Sequence, residues 1–219
     1  RKSNIVHLNP PASLRASQQL GIGLFHYREA LLNYFMECEK VQYISGHFPF
    51  SSTAYESFKD NFTFLTILRE PVSRFLSEYF YNRYKQSNHQ AEKSQFPLQE
   101  YLDTEFGRTQ GCQYVKFLID PSLSETTSIT TNDYFSRELI EEAKHNLTKF
   151  DIVGCLEYNE LFIKDVQTRN ENPAPINHIK EETTQLIEEK INQLCNPDKE
   201  VYEFALNNFI KEIKNKNAS

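Results

Sequence analysis

Apolar residues recur along this chain in two periods, and the switch between them is sharpest from Phe62 to Arg83, FTFLTILREPVSRFLSEYFYNR. Phe62 to Leu68 is a nearly unbroken apolar and β-branched run, the composition of a strand buried on both faces of a parallel sheet. It stops at Arg69. Pro71 then suits the first position of a helix, because its ring presets φ and its missing N–H would be unpaired there anyway. Val72, Phe75, Leu76, Tyr79 and Phe80 follow at the spacing of one buried helical face, which leaves Ser73 and Ser77, one turn apart, on another.

The same two periods divide the rest of the chain. Ile5 to Leu8 is a short apolar stretch closed by Pro10-Pro11, and Ala12 to Leu20 allows a turn or two of helix. Phe25 to Cys38 reads as an amphipathic helix with Ala30, Leu31, Tyr34 and Phe35 on its inner face, and Val41 to Ser45 as a short strand. Leu98 to Phe106 and Gln110 to Ile119 are apolar-faced segments, and the Ser- and Thr-rich stretch from Ser122 to Thr131 is a loop. Phe135 to Phe150 is a helix with Leu139, Ile140, Ala143 and Leu147 in one stripe, and Asp151 to Leu156 a strand. Helices are expected over Leu161–Val166, Glu181–Leu194 and Lys199–Lys214. Strands alternating with helices make the chain α/β with a parallel sheet.

Composition narrows the class. With 219 residues, 39% of them apolar, and 17 Phe and 12 Tyr supplying bulk in the absence of Trp, the chain suits one folded domain over residues 1–219. No run approaches the roughly 18 apolar residues that span a membrane. The net charge of -6 argues against general nucleic-acid binding, which needs a broad basic field, yet permits a local basic groove. Cys38, Cys112, Cys155 and Cys195 are widely spaced without a CxxC pair, so neither a zinc site nor a thioredoxin-like motif is indicated, and Cys155 in IVGCL reads as a buried thiol. No cluster of Asp, His and Cys suggests a metal.

Two places carry candidate chemistry. At the strand-to-helix junction, free amides, the positive end of a helix dipole, the Arg69 guanidinium and a serine hydroxyl can meet around an anion. The same residues read as readily as a surface arginine on an ordinary βα loop. The second place is His47, just past the Val41–Ser45 strand in GHFP, at the strand end where open α/β sheets bind ligands. Gly46 permits a sharp turn before it and Pro49 stiffens the exit. Histidine is the side chain best suited to accept a proton near neutral pH, although a lone loop histidine is more often structural.

LREPVSRFLSEYF resembles the 3′-phosphate-binding segment of the sulfotransferases that use 3′-phosphoadenosine 5′-phosphosulfate (PAPS), nearest to the Golgi-type enzymes that sulfate heparan and chondroitin chains. The resemblance implies that Arg69 and Ser77 hold the 3′-phosphate of the cofactor. YISGHFPF is similar to the segment that carries the family's catalytic histidine base, which implies that role for His47. NLTKFDIVGCLEYNELF and the pair EETTQLIEEKINQL and DKEVYEFALNNF resemble later parts of the family, so the likeness extends from about Val41 onward; only the segment from Arg69 to Ser77 is specific. It implies a P-loop-like three-layer sandwich, a central parallel sheet flanked by helices. It further implies transfer of a sulfonyl group from PAPS, without a metal, to a hydroxyl of a carbohydrate or other alcohol acceptor. Gln113 and Lys116 match the family's acceptor-facing pattern only loosely and serve equally as surface residues.

The family also opens with a strand and a glycine-containing phosphate loop bearing Lys and Ser/Thr, which cradles the 5′-phosphosulfate. Gly21 and Gly23 lead instead into Leu24-Phe25-His26. The family's first strand and phosphate loop are therefore expected upstream of Arg1, and a longer connection is expected near Thr168-Arg169. Two alternatives stay open: a non-catalytic nucleotide- or glycan-binding domain derived from a sulfotransferase, favoured by the missing loop, and a P-loop kinase, which would need a Walker loop that is not visible. The compartment follows the acceptor: Golgi lumen for a eukaryotic protein anchored upstream, cytoplasm for a bacterial one.

Overall fold

The computed structural model describes residues 4–84, 96–123, 130–158 and 184–217. The chain begins with β1 (Ile5–His7), α1 (Pro10–Leu20), α2 (Leu24–Glu37), β2 (Tyr43–Ser45) and α3 (Ser52–Phe58). The switch region forms β3 (Leu65–Leu68) and α4 (Pro71–Tyr84), followed by α5 (Leu98–Tyr101), α6 (Glu105–Gln110) and α7 (Gln113–Leu118). A 3-10 turn at Asp133–Phe135 leads to α8 (Arg137–Leu147), β4 (Ile152–Cys155), a second 3-10 turn at Leu156–Tyr158, α9 (Gln185–Leu194) and α10 (Asn196–Asn217). The helix expected over Leu161–Val166 and the connection near Thr168 lie outside the described residues.

The mixture of helices and parallel strands is that of an α/β protein, but the described strands form two separate pairs. β1 pairs with β2 in register Ile5 to Tyr43, and β3 pairs with β4 in register Leu65 to Ile152, both parallel. The run from Phe62 is shorter as a strand than its composition predicts, and it is not buried on both faces. Leu68 is buried, whereas Leu65 and Ile67, which point the other way, are 42% and 48% exposed. Alternation decides this: side chains two apart share a face, and among the described residues helices cover one face of the β3–β4 pair.

That covered face is the main core. Leu68 and Cys155 from the strands pack with Val115 and Leu118 of α7, Ile140, Ala143 and Leu147 of α8, and Val201 of α10. The α8 stripe is the one its spacing predicts. A second core joins Phe75, Tyr79 and Phe80 of α4 to Leu98 and Tyr101 of α5 and Ile191 of α9, with Val72 and Leu76 packed alongside, again as the period predicts. Each buried aromatic removes enough apolar surface from water to contribute roughly 1.5–3 kcal/mol.

The inner face expected for α2 is overturned. Tyr34 is 63% exposed, Ala30 is also exposed, and the buried residue of this helix is Arg28. Its guanidinium lies inside because two acceptors await it: Nε donates to the Ser13 hydroxyl at 3.1 Å and Nη1 to the His47 carbonyl at 2.9 Å. Burial pushes the Arg28 pKa down, and these bonds are what make a buried guanidinium tolerable.

Candidate functional site

His47 leaves the end of β2 through Gly46, whose φ of +152° and lack of a side chain are both required. A Cβ on Gly46 would stand 2.4 Å from the Leu8 Cβ, so the loop closes over the exit of β1 only with glycine there. The imidazole is exposed, with its ring 6.2 Å from that of Phe117 and its backbone carbonyl held by Arg28. Phe117 in turn packs on Phe25 at 4.9 Å, and the Lys116 ammonium lies 5.4 Å from the centre of the Phe25 ring.

Arg69 stands one residue past β3, with Pro71 opening α4 as its sequence predicts. Both polar groups of the Arg69 backbone meet one side chain. Its N–H donates to the Tyr114 hydroxyl at 2.8 Å, and that hydroxyl donates to the Arg69 carbonyl at 2.5 Å. The Arg69 guanidinium makes no ion pair or hydrogen bond among the described residues. Ser77 lies in the second turn of α4, half-buried, and its hydroxyl likewise has no partner among the described residues.

The expected free amides at this junction are already taken. Glu70 folds back over the first turn of α4, its carboxylate accepting from the Val72 amide at 3.0 Å and the Ser73 amide at 2.7 Å. Burial works against the charge, but these two amides, the Ser73 hydroxyl and Lys199 outweigh it and hold the Glu70 carboxyl below the usual range. The residue is its own N-terminal anion. The amides of the first turn of α4 are therefore not free for a further anion.

The turn from β1 into α1 offers less. Pro10 and Pro11 have no N–H, the Ala12 amide donates to the Asn9 side chain at 2.9 Å, and the Ser13 amide donates to the Asn9 carbonyl at 2.9 Å. A nest of free amides is what holds a phosphosulfate in a phosphate loop, and this turn has none. Among the described residues, the Arg69 guanidinium and the Ser77 hydroxyl at the β3–α4 corner remain available to an anion, whereas the β1–α1 turn offers no nest of amides for one.

The two candidate regions belong to different strand pairs, and α7 touches both. Tyr114 holds Arg69, while Phe117, one turn later, packs beside His47 and accepts the Phe50 amide at 2.7 Å through its carbonyl. α7 is fixed from the far side by Asp198 of α10, fully buried, whose Oδ1 accepts the amides of Tyr114 and Val115 at 2.8 and 3.1 Å. Its Oδ2 faces the Arg74 guanidinium at 3.4 Å. Burial pushes the Asp198 carboxyl up to about 7, against the pull of Arg74 and the amides. Arg28, Glu70, Tyr114 and Asp198 are the residues that sequence reasoning missed. Glu70 alone had a local signal, an acidic residue just before Pro71 at a helix start.

Of the weaker candidates, the side chain of Gln113, at the start of α7, donates to the Thr109 carbonyl of α6 at 2.9 Å, and Lys116 lies against Phe25. A cleft of about 280 Å³ between α8, β4 and α10, lined by Phe150, Val153, Phe204 and Phe209, includes none of the candidate residues. Among the described residues no group of three or more His, Cys, Asp or Glu could hold a metal ion, and no helix is long and apolar enough to cross a membrane.

No protein-family model matches the chain. The chain is similar to heparan-sulfate 6-O-sulfotransferase 2 of Gallus gallus, at 28% identity over an alignment 189 positions long that covers 70% of this chain and 46% of that protein. The relationship is distant, and it is to a sulfotransferase. The chain spans less than half the length of this curated relative.

Proposed function

We propose that residues 1–219 form a sulfotransferase-like domain of the P-loop-like layered type, which uses PAPS to sulfate a hydroxyl of a carbohydrate or other alcohol. Arg69 and Ser77 bind the 3′-phosphate of the nucleotide, and His47 is the general base. The observation that carries the reading is that the Arg69 guanidinium, at the end of β3, and the Ser77 hydroxyl, in the second turn of α4, have no partner among the described residues. The distant sulfotransferase relative supports it, and a carbohydrate acceptor is in keeping with that relative's name.

PAPS supplies the sulfonyl group and a phosphate leaving group. The chain's own part is to orient and to move one proton. A guanidinium fork and a hydroxyl fix the nucleotide through its 3′-phosphate, and His47, exposed at the end of β2, removes the proton of the acceptor hydroxyl as its oxygen attacks sulfur. Charge building on the leaving phosphate needs cationic or amide donors, which the β1–α1 turn does not provide.

That last observation favours a second reading, a non-catalytic domain that binds a 3′-phosphorylated nucleotide or a glycan. One experiment separates the two. Binding of adenosine 3′,5′-bisphosphate and of 5′-AMP is measured by thermal shift on wild type, Arg69→Ala and Ser77→Ala, beside transfer of radiolabelled sulfate from PAPS to a panel of glycans. Preference for the bisphosphate that both variants abolish, with transfer that His47→Ala abolishes, is the expected result. Preference without transfer leaves the binding domain, and absence of preference ends both nucleotide readings.

A further inference from the structure

We infer that Tyr114 is the positioning residue of the candidate 3′-phosphate site, holding the Arg69 peptide so that the guanidinium is presented in one place. The inference rests on the proposed role of Arg69. Its physical basis is the strand end. Beyond Leu68 the backbone of Arg69 leaves the β3–β4 ladder, and α4 does not begin until Pro71, so neither helix nor sheet satisfies the Arg69 N–H and C=O. The Tyr114 hydroxyl satisfies both, accepting at 2.8 Å and donating at 2.5 Å. A phenolic hydroxyl is suited to this because it is donor and acceptor at once, on a ring with only two side-chain torsions.

The clamp is itself braced. The Tyr114 amide donates to the buried Asp198 carboxylate at 2.8 Å, and the Arg74 guanidinium lies 5.3 Å from the centre of the Tyr114 ring. The ring is 9% exposed and packs in the main core with Leu68. The chain of contacts therefore runs from Asp198 in α10, through α7, to the peptide from which Arg69 projects. An arginine side chain has several rotatable bonds, and a bidentate grip on phosphate tolerates little displacement. Fixing its Cα is what a site on a strand end otherwise lacks.

The test uses Tyr114→Phe, which keeps the ring, and Thr131→Val, which removes the hydrogen bond that Thr131 donates to Glu105 at 2.6 Å, as a control for general loss of stability. Two quantities are read: hydrogen exchange of the Arg69 amide, and the ratio of affinities for adenosine 3′,5′-bisphosphate and 5′-AMP. The expected result for Tyr114→Phe is Arg69 exchange about tenfold faster and an affinity ratio about tenfold lower, with 5′-AMP binding unchanged. Thr131→Val moves neither. 4-Aminophenylalanine at position 114 donates to the Arg69 carbonyl but accepts poorly from the Arg69 amide, so its exchange and affinity ratio fall between those of wild type and Tyr114→Phe, and that partial loss is the test if Tyr114→Phe does not fold. A Tyr114→Phe protein that keeps the wild-type ratio while Arg69→Ala loses it overturns the positioning role alone. A wild type with no preference for the 3′-phosphate overturns the nucleotide reading, and the role of Tyr114 with it.

Discussion

The Glu70 carboxylate lies 2.7 Å from the Ser73 amide nitrogen and occupies the N-terminus of α4, next to the arginine proposed to bind phosphate. The corner proposed to bind a phosphate thus carries an anion of its own. Removing it has opposite effects on stability and on affinity. Glu70→Ala lowers stability by about 1 kcal/mol through loss of the helix cap. It raises affinity for adenosine 3′,5′-bisphosphate several-fold, because two amides are freed and a like charge is gone. Urea unfolding and thermal-shift titration on the same variant measure both. An unchanged affinity would mean that the bound phosphate does not approach the helix end.

The same carboxylate has a predictable dependence on pH. Its pKa is depressed in the folded state, so its contribution is complete above the unfolded carboxylate range and is lost as pH falls through the folded value. The stability gap between wild type and Glu70→Ala, open at pH 7, should close in acid. A gap independent of pH would assign the effect to packing.

Asp198 behaves in the opposite sense. With its pKa raised to about 7, its contribution is fully present below the unfolded value and declines as pH rises from there toward neutrality. A carboxyl carbon that titrates near pH 7 by NMR, and is absent from Asp198→Asn, is the expected signature. Asp198→Ala leaves the Tyr114 and Val115 amides without their acceptor and the Arg74 guanidinium without its counter-charge, keeping only the Gln110 carbonyl, at a cost of about 3 kcal/mol in urea unfolding.

Gly46 and Arg28 both govern the His47 loop. Gly46→Ala forces a Cβ to within 2.4 Å of Leu8 at a φ that side chains rarely adopt, and should cost about 1–3 kcal/mol. Arg28→Met removes the donors to the His47 carbonyl and the Ser13 hydroxyl, and should cost about 1–3 kcal/mol in urea unfolding. If His47 is the base as proposed, Arg28→Met should lower the rate of sulfate transfer with nucleotide affinity intact, because its contact is to the His47 loop. Loss of nucleotide affinity in this variant would show the two halves of the site to be coupled through α7.

Local pattern was enough for much of this molecule. The faces of α4 and α8 follow from 3.6-residue spacing, the start of α4 from Pro71, and the buried state of Cys155 from its apolar run, because each depends on residues within two helical turns or one strand. The positions of His47 after β2 and of Arg69 after β3 were legible for the same reason.

What tertiary structure alone decided are the long-range partners. The outer face of β3 is exposed because no helix among the described residues covers it, which the composition of Phe62–Leu68 cannot express. α2 buries an arginine rather than its apolar stripe because acceptors on Ser13 and His47, distant in sequence, converge on it. The bracket from Asp198 through Tyr114 to Arg69 spans residues 84 and 45 positions apart. Side-chain period reports which face of an element is apolar; it carries no information about which distant donor or acceptor that face will meet, and the geometry of the candidate site is built from those meetings.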